Sequence, residues 1–175
     1  FDAAQMKQEV MAIFGKATGA APVIAETAPN HLSGSLRIDT VASVSSTYIN
    51  FSIDAPIFGD ASYLAMDLLA QYLNLDEASP IKQALFGAEP LATEASVSLT
   101  SYPDLSRLEI SVVSEKAENR DKIVDTIVHT LKNLASLEVD FDASLLDGIK
   151  TSVKTQDIYN AEKLHYYGFM IAPML

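Results

Sequence analysis

The stretch "SPIKQALFGAEPLATEASVSL", Ser79 to Leu99, predicts a short helix followed by a strand. Ser79 suits the position before a helix because its hydroxyl can accept from a free backbone N–H, and Pro80 suits the first helical position. We expect Gly87 to end the helix in the left-handed conformation. The strand is indicated by alternating apolar residues, namely Ala95, Val97 and Leu99. No nucleophile–base pair, metal-binding box or phosphate loop accompanies this helix-to-strand unit.

One strand is predicted upstream and one downstream of this unit. The upstream strand has β-branched or apolar residues at every second position, Thr47, Ile49, Phe51 and Ile53, and Val41 belongs to it or to its lead-in. The downstream strand carries Leu108, Ile110 and Val112. Because only the short turn "SYPDLS" separates it from the Ala95 strand, the two are predicted to form an antiparallel hairpin.

Amphipathic patterns predict helices before, between and after the strands. The first spans Ala3 to Phe14, and a second begins at a cap at Asp60. Asn119 opens a further long helix, and Asp142 caps a last one that extends past Ile158. A hairpin flanked by helices is typical of an α+β fold, so we expect a two-layer sandwich in which helices pack on one face of an antiparallel sheet.

The chain divides into three predicted segments. Residues 1–36 hold the first helix and a connector with several glycines and prolines, residues 37–156 form the α+β domain, and residues 157–175 continue as a helical extension toward a following domain. The last residues, "YYGFMIAPML", are apolar with no polar finish. We therefore expect the chain to be a piece of a longer protein.

Composition argues against several classes of function. The 175 residues carry a formal net charge of −11, which disfavours binding to nucleic acid or to an anionic membrane. There is no cysteine, which excludes disulfides, thiolate zinc sites and cysteine nucleophiles. No apolar run approaches the roughly 20 residues that span a bilayer. We expect a soluble protein of the cytoplasm or periplasm, and the lack of cysteine leaves the compartment open.

The three histidines are the first candidates for a chemical site. Asp125 and His129 lie four residues apart on one predicted helix and are interpreted as a solvated pair. Glu162 and His165 lie three residues apart, a spacing that can hold a metal ion from a helix, but no third ligand at helical spacing completes the set. His31 lies alone in the connector and is interpreted as solvated.

The acidic stretch "EVDFDASLLD", residues 138–147, invites interpretation as a calcium site. It lacks the alternating ligands and the central glycine of an EF-hand loop. Helix capping by Asp142, with the other acidic side chains in solvent, is the better account. The chain also has no G-x-S-x-G elbow, so no residue pattern predicts catalysis on its own.

Several segments nevertheless follow one another in a distinctive order: "TYINFSIDAP", "ASYLAMDLLAQYLN", "SPIKQALFGAEPLATEASVSL", "LSRLEISV", "RDKIVDTIVHTLKNLAS" and "VDFDASLLDGIKTSVKTQ". Over about Thr47 to Thr155, this order resembles a non-catalytic domain of the pitrilysin/insulinase family of zinc metallopeptidases, in particular its presequence-protease-like branch. The resemblance implies that the helix after Ser79 and the strand at Ala95 belong to the wall of a closed chamber that confines peptides.

The catalytic domain of that family carries a zinc-binding helix with the pattern H-x-x-E-H. Two histidines and a distal glutamate bind the metal, and the central glutamate is the general base. At the corresponding positions this chain has Tyr63, Met66 and Asp67. Tyrosine and methionine cannot replace an imidazole ligand and a general base. The resemblance therefore implies an inactive domain that holds no zinc, with the zinc in the catalytic domain of the parent protein.

Two further features bear on which domain this is. The family's C-terminal domain often places an arginine and a tyrosine around the helix-to-strand turn, where they hold substrate near the zinc. This chain has Phe86, Gly87, Leu91, Ala92 and Thr93 there, so the resemblance does not imply the substrate-clamping domain. The run after the core resembles the helical run that follows the second domain, which implies the second of four domains. The implied partners are the other domains of the peptidase and unstructured peptides as the parent's substrate. A large apolar interface could also let the isolated chain form a homodimer.

Two alternatives stay open. The chain can belong to a non-proteolytic structural or assembly subunit of the same fold, of the kind that serves as a core protein in a respiratory complex. A parent protein without H-x-x-E-H would favour this alternative. The chain can also be a hydrolase itself, with an unfamiliar site built from Asp157, Glu162 and His165. In that case zinc would stabilise the isolated chain against heat.

Overall fold

The computed structural model of the chain describes residues 2–16, 19, 33–75, 78–102, 104–136, 141–163 and 168–169. Within these residues, a three-stranded sheet is accompanied by α-helices. In chain order the elements are α1 (Ala3–Phe14), β1 (Thr47–Ala55), α2 (Tyr63–Asn74), α3 (Pro80–Leu85), β2 (Glu94–Tyr102), β3 (Leu105–Ser114), α4 (Arg120–Ala135) and α5 (Ala143–Glu162). A short 3-10 turn, Ala117–Asn119, precedes α4.

The sheet has the strand order β1-β3-β2, and the central strand β3 is antiparallel to both neighbours. β2 and β3 form the predicted hairpin, while β1 pairs with the other side of β3. Phe51 of β1 and Val97 of β2 both lie opposite Ile110 of β3. The two outer strands therefore run parallel to each other, and the connection between them passes through α2 and α3.

The two faces of the sheet differ in polarity because alternate residues of a strand point to opposite sides. One face carries the apolar rows Ile49–Val112–Ala95, Phe51–Ile110–Val97 and Ile53–Leu108–Leu99. The other face carries mainly polar rows, among them Asn50–Ser111–Ser96 and Ser52–Glu109–Ser98. Ile110 and Val112 are fully buried, whereas Ser98 and Ser111 are exposed. Helices from the α2 to α5 set cover the apolar face, which confirms the predicted α+β sandwich.

The core lies between this apolar face and helices α2 to α5. α2 packs mainly on β2, α3 packs between α2 and α4, and α5 packs on α2. The most deeply buried helical side chains are Leu73 of α2, Ile81 and Leu85 of α3, and Ile123 and Ile127 of α4. α4 therefore buries the apolar stripe that its sequence pattern predicts. In α2 the pattern of leucines predicts that Leu64 also faces inward, but Leu64 is exposed, and the buried residues lie in the second half of the helix.

The start of α3 confirms the prediction made from Ser79 and Pro80. The Ser79 hydroxyl accepts from the backbone N–H of Lys82 at 3.3 Å and donates to the carbonyl oxygen of Leu73, while Pro80 occupies the first helical turn. Ser79 is fully buried, and both polar functions of its hydroxyl are satisfied. One side chain therefore caps α3 and ties it to the end of α2.

The predicted left-handed end of α3 at Gly87 is wrong. α3 ends at Leu85 with Phe86 as its cap, and among the described glycines only Gly59 has a positive φ, 100°. The carbonyl oxygen of Leu85 accepts from the backbone N–H of Leu91 at 2.9 Å. Because a residue further along the chain satisfies this carbonyl, a left-handed glycine is not needed there.

The predicted start of α2 also needs correction, and the structure distinguishes the two placements predicted for Val41. α2 begins at Tyr63 rather than at Asp60, and it is the backbone carbonyl of Asp60, not its side chain, that accepts from the Tyr63 N–H at 3.0 Å. Val41 is fully exposed and lies before β1, which begins at Thr47, so it belongs to the lead-in and not to the strand. Thr47 lies opposite Ser114, the last residue of β3, so the partner strand ends before it could reach Val41.

The first and last helices extend beyond this core. Asp2 caps α1, in which no residue is buried, and its apolar side chains Met6, Val10, Ile13 and Phe14 are exposed. Asp142 caps α5 as predicted, accepting from the N–H of Ser144 at 2.8 Å. α5 is continuous through residues 156 and 157, where the sequence suggested a segment boundary. None of the described helices is both long and apolar enough to cross a lipid bilayer.

Candidate functional site

The N-terminal turn of α2 holds the residues that the resemblance aligns with the zinc motif. Tyr63 is half-buried, and its hydroxyl oxygen accepts from Ser101 Oγ of β2 at 3.0 Å. Ser106 Oγ of β3 in turn donates to Ser101 Oγ at 3.2 Å. The Tyr63 ring meets the edge of Phe58 with the centroids 5.4 Å apart. Tyr63 therefore fastens the start of α2 to one end of the sheet.

Met66 and Asp67 lie one turn further along α2. Met66 is half-buried and packs against the hydrophobic core. The Asp67 carboxylate accepts from Gln71 Nε2 at 2.9 Å, a contact between residues four apart on the same helix. The side chains at the three aligned positions thus make a sheet contact, a core contact and an intrahelical contact.

Such a set of side chains does not fit a catalytic zinc ion. Zinc in peptidases takes imidazole and carboxylate ligands, and its bound water needs a general base. A thioether in the core and a phenol that already accepts from a serine provide neither. Within the described parts of the chain, no group of three or more His, Cys, Asp or Glu side chains is placed to hold a metal ion. The alignment of these positions with the zinc motif stays a prediction.

The second candidate metal pair is only partly described. Glu162 is the last residue of α5 and is exposed, as is Asp157 on the same helix. His165 lies outside the described residues. Whether Glu162, His165 and Asp157 meet therefore stays a prediction.

The remaining sequence candidates have local structural contacts. His129 is exposed on α4, and its Nε2 lies 3.1 Å from Asn133 Nδ2, one turn along the same helix. Asp125 is exposed as well. In the acidic stretch, Asp142 is a helix cap as predicted, while Glu138 and Asp140 lie outside the described residues, as does His31.

The polar face of the sheet is a surface that carries none of the candidate catalytic or metal-binding motifs considered above. Serine dominates its central rows, and Glu109 accepts from Thr100 Oγ1 at 2.9 Å. At one end, Arg107 on β3 forms an ion pair with Asp54 of β1, and only 12% of the arginine side chain is exposed. The signal was present in the sequence, because the residues between the apolar positions of each strand are mainly Ser, Thr and Asn.

A charged cluster ties the segment before β1 to the start of α4. Arg37 donates to Asp121 at 2.7 Å and to Asp39 at 3.0 Å, and Arg120 donates to Asp121 at 3.3 Å. The hydrogen bond from Arg37, followed by that from Arg120, lowers the pKa of Asp121 below its ordinary value. The hydrogen bonds of Arg37 to Asp121 and then to Asp39 raise the pKa of its guanidinium. Because these groups are exposed, the cluster holds the segment before β1 near α4 and contributes little to stability.

A comparison with protein families gives a match over most of the chain. The sequence profile of the family described as "Peptidase M16 inactive domain" matches residues 1–153. The match includes α1 and the connector as well as the sandwich. No curated protein matches the chain significantly. A match of this extent identifies the chain: it belongs to the M16 peptidase family, as one of the inactive domains.

Proposed function

We propose that this domain forms part of the wall of a peptide-degrading chamber in a zinc-dependent metalloendopeptidase and packs on the catalytic domain. The observation that carries the proposal is the match to the inactive M16 domain over residues 1–153. The contacts of Tyr63 and Met66 support it, because both side chains pack within the fold at positions where the predicted alignment places zinc and its general base in a catalytic domain. Zinc and the general base would then belong to another domain.

The polar face of the sheet is the surface that suits a chamber wall. Most of its exposed side chains are small hydroxyl and amide groups, Asn50, Ser52, Ser96, Ser98 and Ser111, and the exposed aromatic ones, Tyr48 and Tyr102, also carry a hydroxyl. Such groups can exchange hydrogen bonds with any extended peptide and offer little apolar surface on which a product would stick. With a formal net charge of −11 on the chain, the wall favours basic over acidic peptides.

The exposed apolar side chains suit contacts with other domains of the same peptidase. On α1 they include Met11, Ile13 and Phe14, with 60 to 71% exposure, and near the C-terminus they include Ile158 and Tyr159. Patches of this kind mark protein interfaces on soluble proteins. We assign the domain to the second position of a presequence-protease-like enzyme, because the sequence from Ser144 onward resembles the helical run that follows the second domain, and α5 is helical over Ala143–Glu162.

The test compares the metal content and peptidase activity of this chain with those of the full-length parent. We expect the parent to bind about one zinc ion per catalytic site and to cleave an unstructured basic peptide. We expect the isolated chain to bind none and to cleave nothing.

Two outcomes would contradict the proposal. If the isolated chain binds zinc and cleaves peptide, the alignment of Tyr63, Met66 and Asp67 is wrong, and Glu162 with His165 becomes the first site to mutate. If neither protein binds zinc, the parent is a structural or assembly subunit of the same fold. Replacing the histidines of H-x-x-E-H in the parent is the matched control for metal binding.

A further inference from the structure

The two outer edges of the sheet differ in whether their backbone groups have partners. On β2, the backbone N–H of Val97 donates to Asn74 Oδ1 at the end of α2, at 3.0 Å. This N–H therefore points away from β3. In an antiparallel pair the hydrogen-bonded and non-hydrogen-bonded positions alternate, so the Val97–Ile110 pair is a non-hydrogen-bonded one.

The same alternation fixes which groups point outward on β1. Because Ile110 does not bond to β2, its N–H and C=O point to β1, where Phe51 lies opposite. The residues on either side of Phe51, Asn50 and Ser52, then direct their backbone groups to the outer edge, as Tyr48 does. Within the described chain, no hydrogen bond reaches the outward backbone groups of these three residues.

β1 also lacks the features that usually protect an edge strand. Proteins block such edges with lysine, proline, a bulge or a very short strand. β1 has nine residues in unbroken register with β3, and the sequence "TYINFSIDA" contains no lysine, arginine or proline. Its edge is a template for one more antiparallel strand.

We propose that β1 of a second copy of this chain occupies the edge, antiparallel and centred on Phe51, so that the two sheets join into one of six strands. In this register Thr47 lies opposite Ala55 of the second copy and Asn50 lies opposite Ser52 of the second copy. All nine residues are paired, and the outward backbone groups of each strand meet those of the other.

Side-chain chemistry supports a second copy as the occupant. The centred register places the apolar side chains of both strands on the same face of the joined sheet, with Ile49 opposite Ile53 of the second copy and Phe51 opposite the second Phe51. Ile53, which is 36% exposed in the single chain, then becomes more buried. The only charged residue of β1 is Asp54, which lies opposite Tyr48 of the second copy. The two Asp54 residues are then six positions apart along the strands, about 20 Å, where salt screens them.

The test measures mass and amide exchange as a function of concentration. We expect sedimentation to show the 18.9 kDa monomer at about 5 µM and twice that mass at about 500 µM, with the dimer favoured by added salt because both copies are acidic. Over the same range, amide exchange should slow by at least about tenfold at Asn50 and Ser52. The Phe51 amide, which already bonds within the sheet, is the internal control.

Ser52→Pro is the diagnostic variant. It removes only an outward N–H, a position where an edge strand tolerates proline, and should abolish the dimer while the circular dichroism spectrum is retained. Ser98→Lys, on the opposite edge of the same polar row, should leave dimerisation unchanged. Should Ser52→Pro fail to fold, amide exchange in the unmodified chain still decides the matter.

Three results would overturn the proposal. One is a monomer at every concentration. Another is a dimer in which the Asn50 and Ser52 amides exchange as fast as in the monomer, since association would then use another surface. The third is protection of these amides only when other domains of the parent are added, because a strand from those domains would then be the occupant. None of these results bears on the zinc and peptidase assays of the proposed function.

Discussion

Replacing Tyr63 by phenylalanine removes one hydroxyl and leaves the ring in place, whereas replacing it by histidine introduces the ligand type that the predicted alignment with the zinc motif has at this position. The hydroxyl accepts from Ser101 at 3.0 Å and ends a short chain of hydroxyls that includes Ser106. A neutral hydrogen bond of this kind contributes about 1 kcal/mol. Ser101 keeps its bond from Ser106, so we expect Tyr63→Phe to cost about 1 kcal/mol of unfolding free energy and no more.

Tyr63→His should cost more, because the imidazole is too short to reach Ser101 and also loses the edge-to-face contact with Phe58. That ring contact is worth about 1 kcal/mol, which gives a total of about 2 kcal/mol. With a urea dependence of about 2 kcal/mol per molar, the midpoints should fall by about 0.5 M for phenylalanine and about 1 M for histidine. Urea unfolding followed by circular dichroism measures both shifts.

Tyr102→Phe is the matched control, since Tyr102 is 55% exposed at the end of the hairpin, and its midpoint should stay within the error of the unmodified chain. The reasoning would be refuted if Tyr63→His were as stable as the unmodified chain, or if zinc raised the unfolding temperature of the histidine variant. The first result would mean that Tyr63 does not anchor the start of α2, and the second would place a ligand site there.

Three other measurements test the fold. Ile110→Ala should lower the free energy of unfolding by about 2 to 5 kcal/mol in urea titrations, because the side chain is fully buried. Ser111→Ala on the open face should lower it by less than about 0.5 kcal/mol. Equal costs would mean that the two faces of the sheet are misassigned. Asn74→Ala should lower the free energy of unfolding by about 1 kcal/mol and speed amide exchange at Val97. Unchanged exchange at Val97 would contradict the assignment of its N–H to the outer edge of β2. Because the folded-state pKa of Asp121 lies below its ordinary value of 3.8, its ion pairs stabilise the fold above that pH and are lost as pH falls through the folded-state pKa. Asp121→Asn should remove this part of the acid sensitivity, and an unchanged pH profile would contradict the assignment.

The strands and their faces could be predicted because a period of two in the sequence needs no tertiary information. Apolar residues at Ile49, Phe51 and Ile53 indicated both the strand and the side that packs inward. The strand order could not be predicted in the same way, since β1 pairs with the third strand and no local pattern encodes that pairing. The prediction for the end of α3 was wrong for a similar reason, because the hydrogen-bond partner of the Leu85 carbonyl is the N–H of Leu91, which lies beyond the turn.

The candidate site shows the same division between local and distant information. The resemblance selected Tyr63, Met66 and Asp67 from a helix pattern, and the helix begins at Tyr63. The contact that gives Tyr63 its structural role comes from Ser101, which is 38 residues away and carries no signal of its own in the sequence. The open edge of β1 was equally hidden, because it follows from an amide–side-chain contact on the opposite edge of the sheet.

The insertion of β3 between the two earlier strands has a consequence for synthesis on the ribosome. β1 leaves the exit tunnel first, but its only partner in the described sheet begins after the 49 residues from 56 to 104 have been added. At about 5 to 20 residues per second, translation leaves β1 without a partner for about 2 to 10 seconds. During that interval a nascent chain exposes an alternating apolar strand with both edges open, and crowded neighbouring ribosomes bring identical strands close together. We expect this domain to depend on early chaperone contact at β1, and slowing translation between β1 and β3 should increase its aggregation.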